Sequence, residues 1–220
     1  MIKNIFLAAA FAAACSLNAS ASNGISIYPV TLVAPAESRS HAVTLTNEGD
    51  KPIRFQVDAF QWSQVDGRNV HVASSDVLAS PAIVEVPPKE RRVVRAMRVQ
   101  GQGTAYYRLL LRELPEPASV GQLVRMPTNH NLPLAFEPTS QVLPSLAATS
   151  QANGYLLTNS GATAARLTAI GAPGQEPWRK GALGWVLPGS SLLIEVAPGQ
   201  RAAALELTVN GKPVTVTPGQ

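Results

Sequence analysis

The sequence has very little of what catalytic and metal-binding sites are usually built from. Its only cysteine among 220 residues is Cys15, so an intramolecular disulfide and a cysteine-based zinc site are both excluded. Its three histidines, His41, His71 and His130, are scattered along the chain and do not indicate a metal site. It also lacks the nucleophile elbow, the zinc-protease motif, the Walker loop and a dinucleotide-binding glycine motif after a strand. We therefore predict that the protein is not an enzyme and needs no metal or cofactor.

Charged residues are also scarce, whereas proline and glycine are abundant. Charged residues make up 15% of the chain and hydrophobic residues 45%, a balance that provides enough apolar surface for a core and argues against disorder. The 18 prolines and 16 glycines would interrupt long helices. We therefore expect neither a helical bundle nor a coiled coil.

The longest uninterrupted hydrophobic run lies close to the N-terminus. It covers residues 5–14, which is too short to span a bilayer, since that takes about 20 residues. Lys3 precedes the run, and small residues at 19–21 follow it in the arrangement that a signal peptidase accepts. We predict a signal peptide over residues 1–21, no membrane anchor, and export from a bacterial cytoplasm. Lipidation at Cys15 is the alternative, and it is disfavoured because the usual leucine three residues earlier is missing.

After the leader, the dominant hydrophobic period is two, which is typical of half-buried strands. Apolar and polar residues alternate over residues 53–59. Over residues 93–99 the alternation places Arg95 in line with apolar residues, so we expect its side chain to face inward. Two dipeptides between strand-like runs have the composition of tight hairpin turns, Asp66-Gly67 and Asn210-Gly211. The pattern predicts an all-β protein with the strand spacing of a sandwich.

A change in composition divides the chain near its middle. Residues 139–153 are rich in Ser, Thr, Gln and Ala, and strand-like patterning resumes at Tyr155. We predict a first domain over residues 22–138 and a second over residues 139–220. The second is small for a free domain that has no disulfide, so we expect it to share an interface with the first.

Positive charge is concentrated in one part of the chain. The net charge is +4 overall, and residues 89–125 hold eight Lys or Arg residues against three Glu, which is +5 for that stretch. An anionic partner or a set of solvated strand faces would both explain this excess. We predict no nucleic-acid partner, because no binding motif is present and an exported protein meets no nucleic acid.

Several short motifs follow one another in an order that is found in a known family. They are Ile27-Tyr28-Pro29, residues 43–47 (VTLTN), 55–67 (FQVDAFQWSQVDG), 86–95 (VPPKERRVVR), Tyr107-Arg108, 113–115 (ELP), 134–138 (LAFEP), 157–161 (LTNSG) and 185–189 (WVLPG). With the signal peptide, they make the chain resemble the periplasmic pilus-assembly chaperones of the PapD-like, chaperone–usher type. Residues 55–67 are similar to the archaic, Csu-like branch.

The resemblance implies two immunoglobulin-like β-sandwich domains set at an angle. It also implies a periplasmic chaperone that captures and stabilises pilus subunits and delivers them to an outer-membrane usher. Such a chaperone lends a strand to a subunit whose own last strand is missing, and so covers a sheet edge that would otherwise aggregate. Because the lent strand would expose apolar surface between clients, a self-capping dimer is a further expectation.

The donor strand is expected between residues 113–115 and 134–138. Residues 121–126 are the candidate segment, and its candidate subunit-binding residues are Leu123, Val124 and Met126. Val124 and Met126 share one face because alternate residues of a strand do so. An ordinary last strand that packs on its own core is the alternative interpretation.

The resemblance fails at the anchor for the subunit's C-terminal carboxylate. Family members use an Arg on the first strand and a Lys on the last strand of the first domain, but gapless counting places Thr31 and Pro133 there. Glu137 likewise occupies a position where many members have Arg. Arg95 and Arg108 are the candidate substitutes, with structural or surface charges as the alternative interpretation of both.

Two other classes of function stay open at this point. One is a secreted structural or adhesive β-sandwich component of a surface fibre, which would tend to have its own N-terminal donor extension and often a disulfide. The other is a periplasmic hydrolase on a β scaffold, which the missing catalytic motifs disfavour. The sequence shows neither feature of a fibre subunit, so the chaperone is the preferred interpretation.

Overall fold

The computed structural model describes residues 24–115, 127–138 and 143–219. Every regular element in these ranges is a β-strand, which confirms the predicted all-β class. The strands are β1 Ile25–Tyr28, β2 Leu32–Pro35, β3 Ser40–Asn47, β4 Ile53–Val65, β5 Arg68–Ala73, β6 Val77–Ser80, β7 Ile83–Val86, β8 Arg91–Arg98, β9 Ala105–Leu114, β10 Asn129–Glu137, β11 Leu146–Gln151, β12 Gly154–Asn159, β13 Ala165–Gly171, β14 Arg179–Val186, β15 Ser190–Glu195, β16 Leu205–Val209, β17 Lys212–Val216 and β18 Pro218–Gly219. Within the described ranges, no helix has the length and apolar character needed to cross a membrane.

The first ten strands form two facing sheets. One has the order β1-β3-β8-β6, and the other has the order β2-β10-β9-β4-β5 with β7 added beside β4. The alternation predicted for residues 53–59 is confirmed, because Ile53, Phe55 and Val57 are buried in the core between the sheets. Leu109 and Leu111 of β9 are buried in the same core.

Strand β8 corrects one expectation about side-chain direction. Val94, Ala96 and Arg98 face the core, whereas Val93 is 40% exposed and Arg95 is exposed as well. The prediction that Arg95 faces inward is therefore wrong. Each face of this strand contains a valine, so the period of two does not by itself identify the buried face. The pairing with β3 decides it, since the buried Val43 lies opposite Val94.

The last eight strands form a second pair of sheets, with the orders β15-β12-β11-β18 and β14-β13-β16-β17. Both predicted hairpin turns are confirmed. Asp66 and Gly67 join β4 to β5 with φ values of 50° and 73°, and Asn210 and Gly211 join β16 to β17 with 52° and 79°. Positive φ at both central residues is what a tight hairpin of this type requires. The division of the chain at residues 138 and 139 stays a prediction.

Several predicted features lie outside the described residues. They are the leader over residues 1–21 with Cys15, and the candidate donor residues Leu123, Val124 and Met126.

Candidate functional site

Strand β10 has an unpaired edge over the first half of its length. On one side, β9 pairs with residues 129–136 in antiparallel fashion. On the other side, β2 pairs in parallel with residues 134–137 only. In the part of the chain that the structure describes, no strand covers that side of residues 129–133. The backbone groups that point to that side, apart from Pro133, which has no N–H, are therefore not paired with a described strand.

The entry into β10 is held in place by a buried carboxylate on β9. Glu113 is 6% exposed, and its Oε2 accepts hydrogen bonds from Thr128 N at 2.9 Å and from Thr128 Oγ1 at 2.7 Å. The Glu113 N–H in turn donates to the Thr128 carbonyl at 3.0 Å. Hydrogen bonds to a charged group are about twice as strong as neutral ones. This contact fixes the register in which the segment before β10 joins the sheet.

Arg108 lies on the neighbouring strand β9, with β10 between it and the open edge. Its Cα partners are Pro133 on β10 and Phe60 on β4. Arg108 thus lies directly opposite the residue that occupies the expected lysine position. Its guanidinium carbon is 4.0 Å from the centroid of the Trp62 ring, a contact that stabilises by about 0.5–2 kcal/mol depending on solvent exposure.

Arg108 is a cation without a carboxylate partner among the described residues. Its Nε is buried and has no hydrogen-bond partner there, and burial lowers the pKa of its guanidinium. Nearby Asp58 pairs with Arg112 instead. A half-buried guanidinium that no acid among the described residues neutralises favours contact with an anion.

The structure does not bring the two candidate anchor residues together. Arg95 lies on the outer face of the β1-β3-β8-β6 sheet, opposite Ala42, whereas Arg108 belongs to the other sheet of the sandwich. Thr31 is exposed in the connection between β1 and β2. The anchor role of Arg95 stays a prediction, and so does that of Arg108, which belongs to the same sheet as the open edge.

An aromatic pair, which the sequence analysis did not single out, joins the two sandwiches behind Arg108. Trp62 of β4 and Trp185 of β14 have ring centroids 5.5 Å apart at an interplanar angle of 48°. Trp62 is 3% exposed and its Nε1 donates to Asn69 Oδ1 at 2.8 Å. The third tryptophan, Trp178, stacks on Tyr155 in the second sandwich. No periodic signal in the sequence marks residues 62 and 185 as neighbours, because they belong to different domains.

The Gln64 side chain stabilises the same contact through hydrogen bonds to the backbone of the second sandwich. Its Nε2 donates to the Trp185 carbonyl at 2.6 Å, and its Oε1 accepts from Leu187 N at 2.9 Å. At the tip of the same hairpin, the Gly67 carbonyl accepts from Leu193 N at 2.9 Å. The β4–β5 hairpin of the first sandwich therefore docks directly on the second.

A buried carboxylate at the end of β10 provides the second connection. Glu137 is 5% exposed, and its Oε1 accepts from Tyr106 Oη at 2.9 Å and from Ala164 N at 2.7 Å. Its Oε2 pairs with Arg166 Nη2 at 2.6 Å. Burial, followed by the charge of Glu137, raises the pKa of Tyr106. Arg166 also lies over the Trp185 ring, 4.8 Å from its centroid.

The three histidines lie on three different strands. His41 is on β3 and its Nδ1 is 3.1 Å from the Ala42 carbonyl oxygen, His71 of β5 lies beside Trp62, and His130 of β10 lies beside Phe55. Burial, followed by the charge of Arg108, lowers the pKa of His71. The described ranges contain no cluster of His, Cys, Asp and Glu that could hold a metal ion.

Comparison with known families identifies the class of protein. The model for pili and flagellar-assembly chaperones, PapD N-terminal domain, matches residues 24–141. The match spans more than half of the chain, and the chain belongs to this family. The resemblance to PapD-like chaperones seen in the sequence motifs is thereby confirmed. No curated protein matches the chain in sequence.

Solved structures of pilus chaperones have the same fold. One is from the CsuC–CsuE complex of a chaperone and a tip adhesion subunit from the archaic Csu pili of Acinetobacter baumannii, with a TM-score of 0.71, 19% identity, and coverage of 90% of this chain and 100% of that chain. Another is from the complex of the SafA pilin with the SafB chaperone of Salmonella enterica. Its TM-score is 0.68 at 14% identity, and the match covers 90% of this chain and 98% of that chain. A third is the E. coli chaperone DraB, with a TM-score of 0.63, 13% identity, and coverage of 89% of this chain and 96% of that chain.

Proposed function

We propose that this protein is a periplasmic chaperone that captures pilus subunits by donor-strand complementation and passes them to an outer-membrane usher. The observation that carries the proposal is the open edge of β10 over residues 129–133. An incoming strand that paired there would extend the sheet through backbone hydrogen bonds, and alternate side chains of the lent segment would fill its partner's groove. Membership of a chaperone family favours this function over a fibre component or a hydrolase.

Arg108 is the proposed anchor for the subunit's terminal carboxylate. Pro133 carries no charge, but Arg108 lies opposite it on β9, one strand in from the open edge. A carboxylate there would supply the negative charge that the described residues do not provide to Arg108, and charge-assisted hydrogen bonds of this kind contribute about 1.5–3 kcal/mol. The proposed anchor thus lies on β9, one strand away from the position on β10 that Pro133 occupies.

Delivery to an usher requires a second surface that stays accessible while a subunit is bound. The outer face of the β1-β3-β8-β6 sheet meets this requirement, because it is formed by the opposite sheet of the sandwich from β10. Tyr28 is 77% exposed and Val93 40% exposed on this face, and Arg95 lies beside them. Such a mixture of apolar and cationic side chains suits a protein partner.

The donor-strand proposal is tested by placing charges on the lent face. Val124→Asp combined with Met126→Asp would force two carboxylates into an apolar groove, which costs several kcal/mol. We expect the double variant to lose co-purification of a co-expressed pilus subunit from the periplasm while its own thermal melt stays unchanged. The matched control is Val72→Asp, an exposed position on β5 at the far edge of the same sheet.

Two results would contradict the assignment. Normal capture by the double variant would show that residues 121–126 are not lent to the client. A collapsed melt would show that Val124 and Met126 pack in the chaperone's own core. The expected self-capping dimer is measured by sedimentation of the free chaperone, and the same double variant should shift it to a monomer.

A further inference from the structure

We propose that Trp62 and Trp185 are positioning residues for client binding, so that the second domain sets the orientation of the arginine that receives the client's carboxylate. The inference rests on the proposed function, because it takes Arg108 as the anchor. It adds that domain two, which supplies no part of the β10 edge, contributes to client recognition.

The geometry is a series of pairwise contacts that runs from Arg108 to Arg166. Arg108 lies over Trp62 with 4.0 Å from its guanidinium carbon to the ring centroid. Trp62 packs against Trp185 with 5.5 Å between centroids. Arg166 covers Trp185 at 4.8 Å and is itself paired with the buried Glu137. Two arginines thus lie at the ends of a chain of contacts through two aromatic rings, and Arg108 is on β9, one strand in from the open edge.

Both tryptophans are held by contacts that do not involve Arg108. The Trp62 indole N–H donates to Asn69 Oδ1, and the backbone carbonyl of Trp185 accepts from Gln64. Gln64 also donates to Asn69 Oδ1 at 2.9 Å, so one amide oxygen receives both donors. The Trp62 ring is therefore held within its own hairpin, and Trp185 of domain two packs against it.

Arg108 has no comparable support of its own in the part of the chain described by the structure. Its Nε lacks a hydrogen-bond partner and no carboxylate pairs with it there. A long arginine side chain has many rotamers, and the Trp62 ring is the contact that restricts them. Recognition of a carboxylate by a guanidinium is directional, so loss of this restriction weakens carboxylate binding more than it weakens backbone pairing along β10.

The test separates carboxylate recognition from strand pairing. The probe is a synthetic peptide that copies the C-terminal strand of a pilus subunit from the same gene cluster, prepared as the free acid and as the C-terminal amide. We expect the intact chaperone to bind the acid roughly tenfold more tightly than the amide. Arg108→Gln should reduce this acid-to-amide ratio to about one.

Trp185→Leu should lower the ratio at least about threefold and leave the affinity for the amide unchanged. Trp185→Phe, which keeps an aromatic ring, should restore most of the ratio. Trp178→Leu is the matched control, because it removes the second-domain tryptophan that stacks on Tyr155 and should leave the ratio as it is. The affinity for the amide reports whether each variant is still folded.

The outcomes distinguish the inference from the function on which it rests. A ratio of about one for the intact chaperone would show that Arg108 is not the anchor. A high ratio that falls in Arg108→Gln but persists in Trp185→Leu would overturn the positioning role while leaving the anchor in place. Equal losses for acid and amide in both Trp185 variants would also overturn it, because they would indicate a structural role only.

Discussion

Two arginines of the first sandwich make the same aromatic contact in different surroundings. Arg98 lies 4.0 Å from the centroid of the Phe136 ring, and Arg108 lies 4.0 Å from that of Trp62. Arg98 is 7% exposed, and its Nη1 donates to the carbonyls of Ala36 at 3.0 Å and Gly103 at 2.9 Å. Its Nε and Nη2 are also buried, and they have no hydrogen-bond partner among the described residues.

Arg108, in contrast, is half-buried, and no such carbonyl receives its guanidinium among the described residues. The contact with a ring therefore does not decide the role of an arginine. What separates the two arginines is the Nη1 group of Arg98, whose hydrogen bonds to two carbonyls are made within the chain itself. Arg98 therefore connects two loops of the fold, and Arg108 is the arginine that we propose for a ligand.

The largest expected effect is the loss of stability in Arg98→Met. The change removes two hydrogen bonds from a charged donor and leaves the carbonyls of Ala36 and Gly103 without their partner. We expect the free energy of unfolding in guanidinium chloride to fall by about 2–4 kcal/mol. Arg91→Met, at an exposed position of the same strand, is the control and should change it by less than about 0.5 kcal/mol. Equal effects of the two changes would break the comparison.

The second prediction concerns Tyr106, whose hydroxyl joins the first sandwich to the interdomain carboxylate Glu137. Tyr106→Phe should lower the free energy of unfolding by about 1.5–3 kcal/mol at neutral pH, because a charged buried acceptor loses a donor. The pKa of Tyr106 is raised in the folded state, so the folded chain keeps this proton while the unfolded chain releases it above about pH 10. The stability that the Tyr106 hydroxyl contributes is thus fully present below that pH and falls above it.

Unfolding measured across that alkaline range provides the check. Tyr106→Phe should lose stability less steeply there than the unchanged protein does. Burial also raises the pKa of Tyr107, so some alkaline dependence should persist. Identical slopes for the two proteins would contradict the prediction.

The third prediction compares two glycines that have the same backbone conformation. Gly67 and Gly211 have φ values of 73° and 79° in their hairpin turns. A Cβ on Gly67 would lie 2.9 Å from Leu156 Cδ1 of the second sandwich, whereas a Cβ on Gly211 would meet nothing within 4 Å. Both alanine variants incur the cost of a positive φ, about 1 kcal/mol. Gly67→Ala should lower the free energy of unfolding by roughly a further 1 kcal/mol, because the contact between the domains must shift. Equal losses of stability for the two variants in thermal unfolding would show that the hairpin is not tightly docked.

The sequence allowed the fold to be predicted where polar and apolar residues alternate unambiguously. Strand β4 is the clearest case, because Ile53, Phe55 and Val57 are separated by Arg54 and Gln56, and only one face can be buried. The family resemblance then supplied the two-sandwich architecture. Strand β8 shows the limit of this reasoning, since adjacent valines at its centre do not distinguish its two faces.

The candidate site could be predicted only in part, for physical reasons. Arg108 was identified from its position beside a strand motif, but its contact with Trp62 depends on the lateral order of β9 and β4. The Trp62–Trp185 pair joins positions that are far apart in the sequence and on different sandwiches. Such contacts follow from the docking of two domains, which local periodicity does not encode.

The smallest expected effect on stability is that of Arg108→Met, and it completes the comparison with Arg98→Met. Methionine keeps an unbranched side chain of similar length against the Trp62 ring and removes a charge that burial disfavours. The lost cation–π contact, about 0.5–1 kcal/mol at a partly exposed site, is therefore offset by relief of the desolvation cost. We expect the free energy of unfolding to change by less than about 1 kcal/mol in either direction, while capture of a subunit with a free C-terminal carboxylate weakens. Guanidinium unfolding and co-purification measure the two effects separately. A loss of stability as large as that of Arg98→Met would show that Arg108 serves the fold as well.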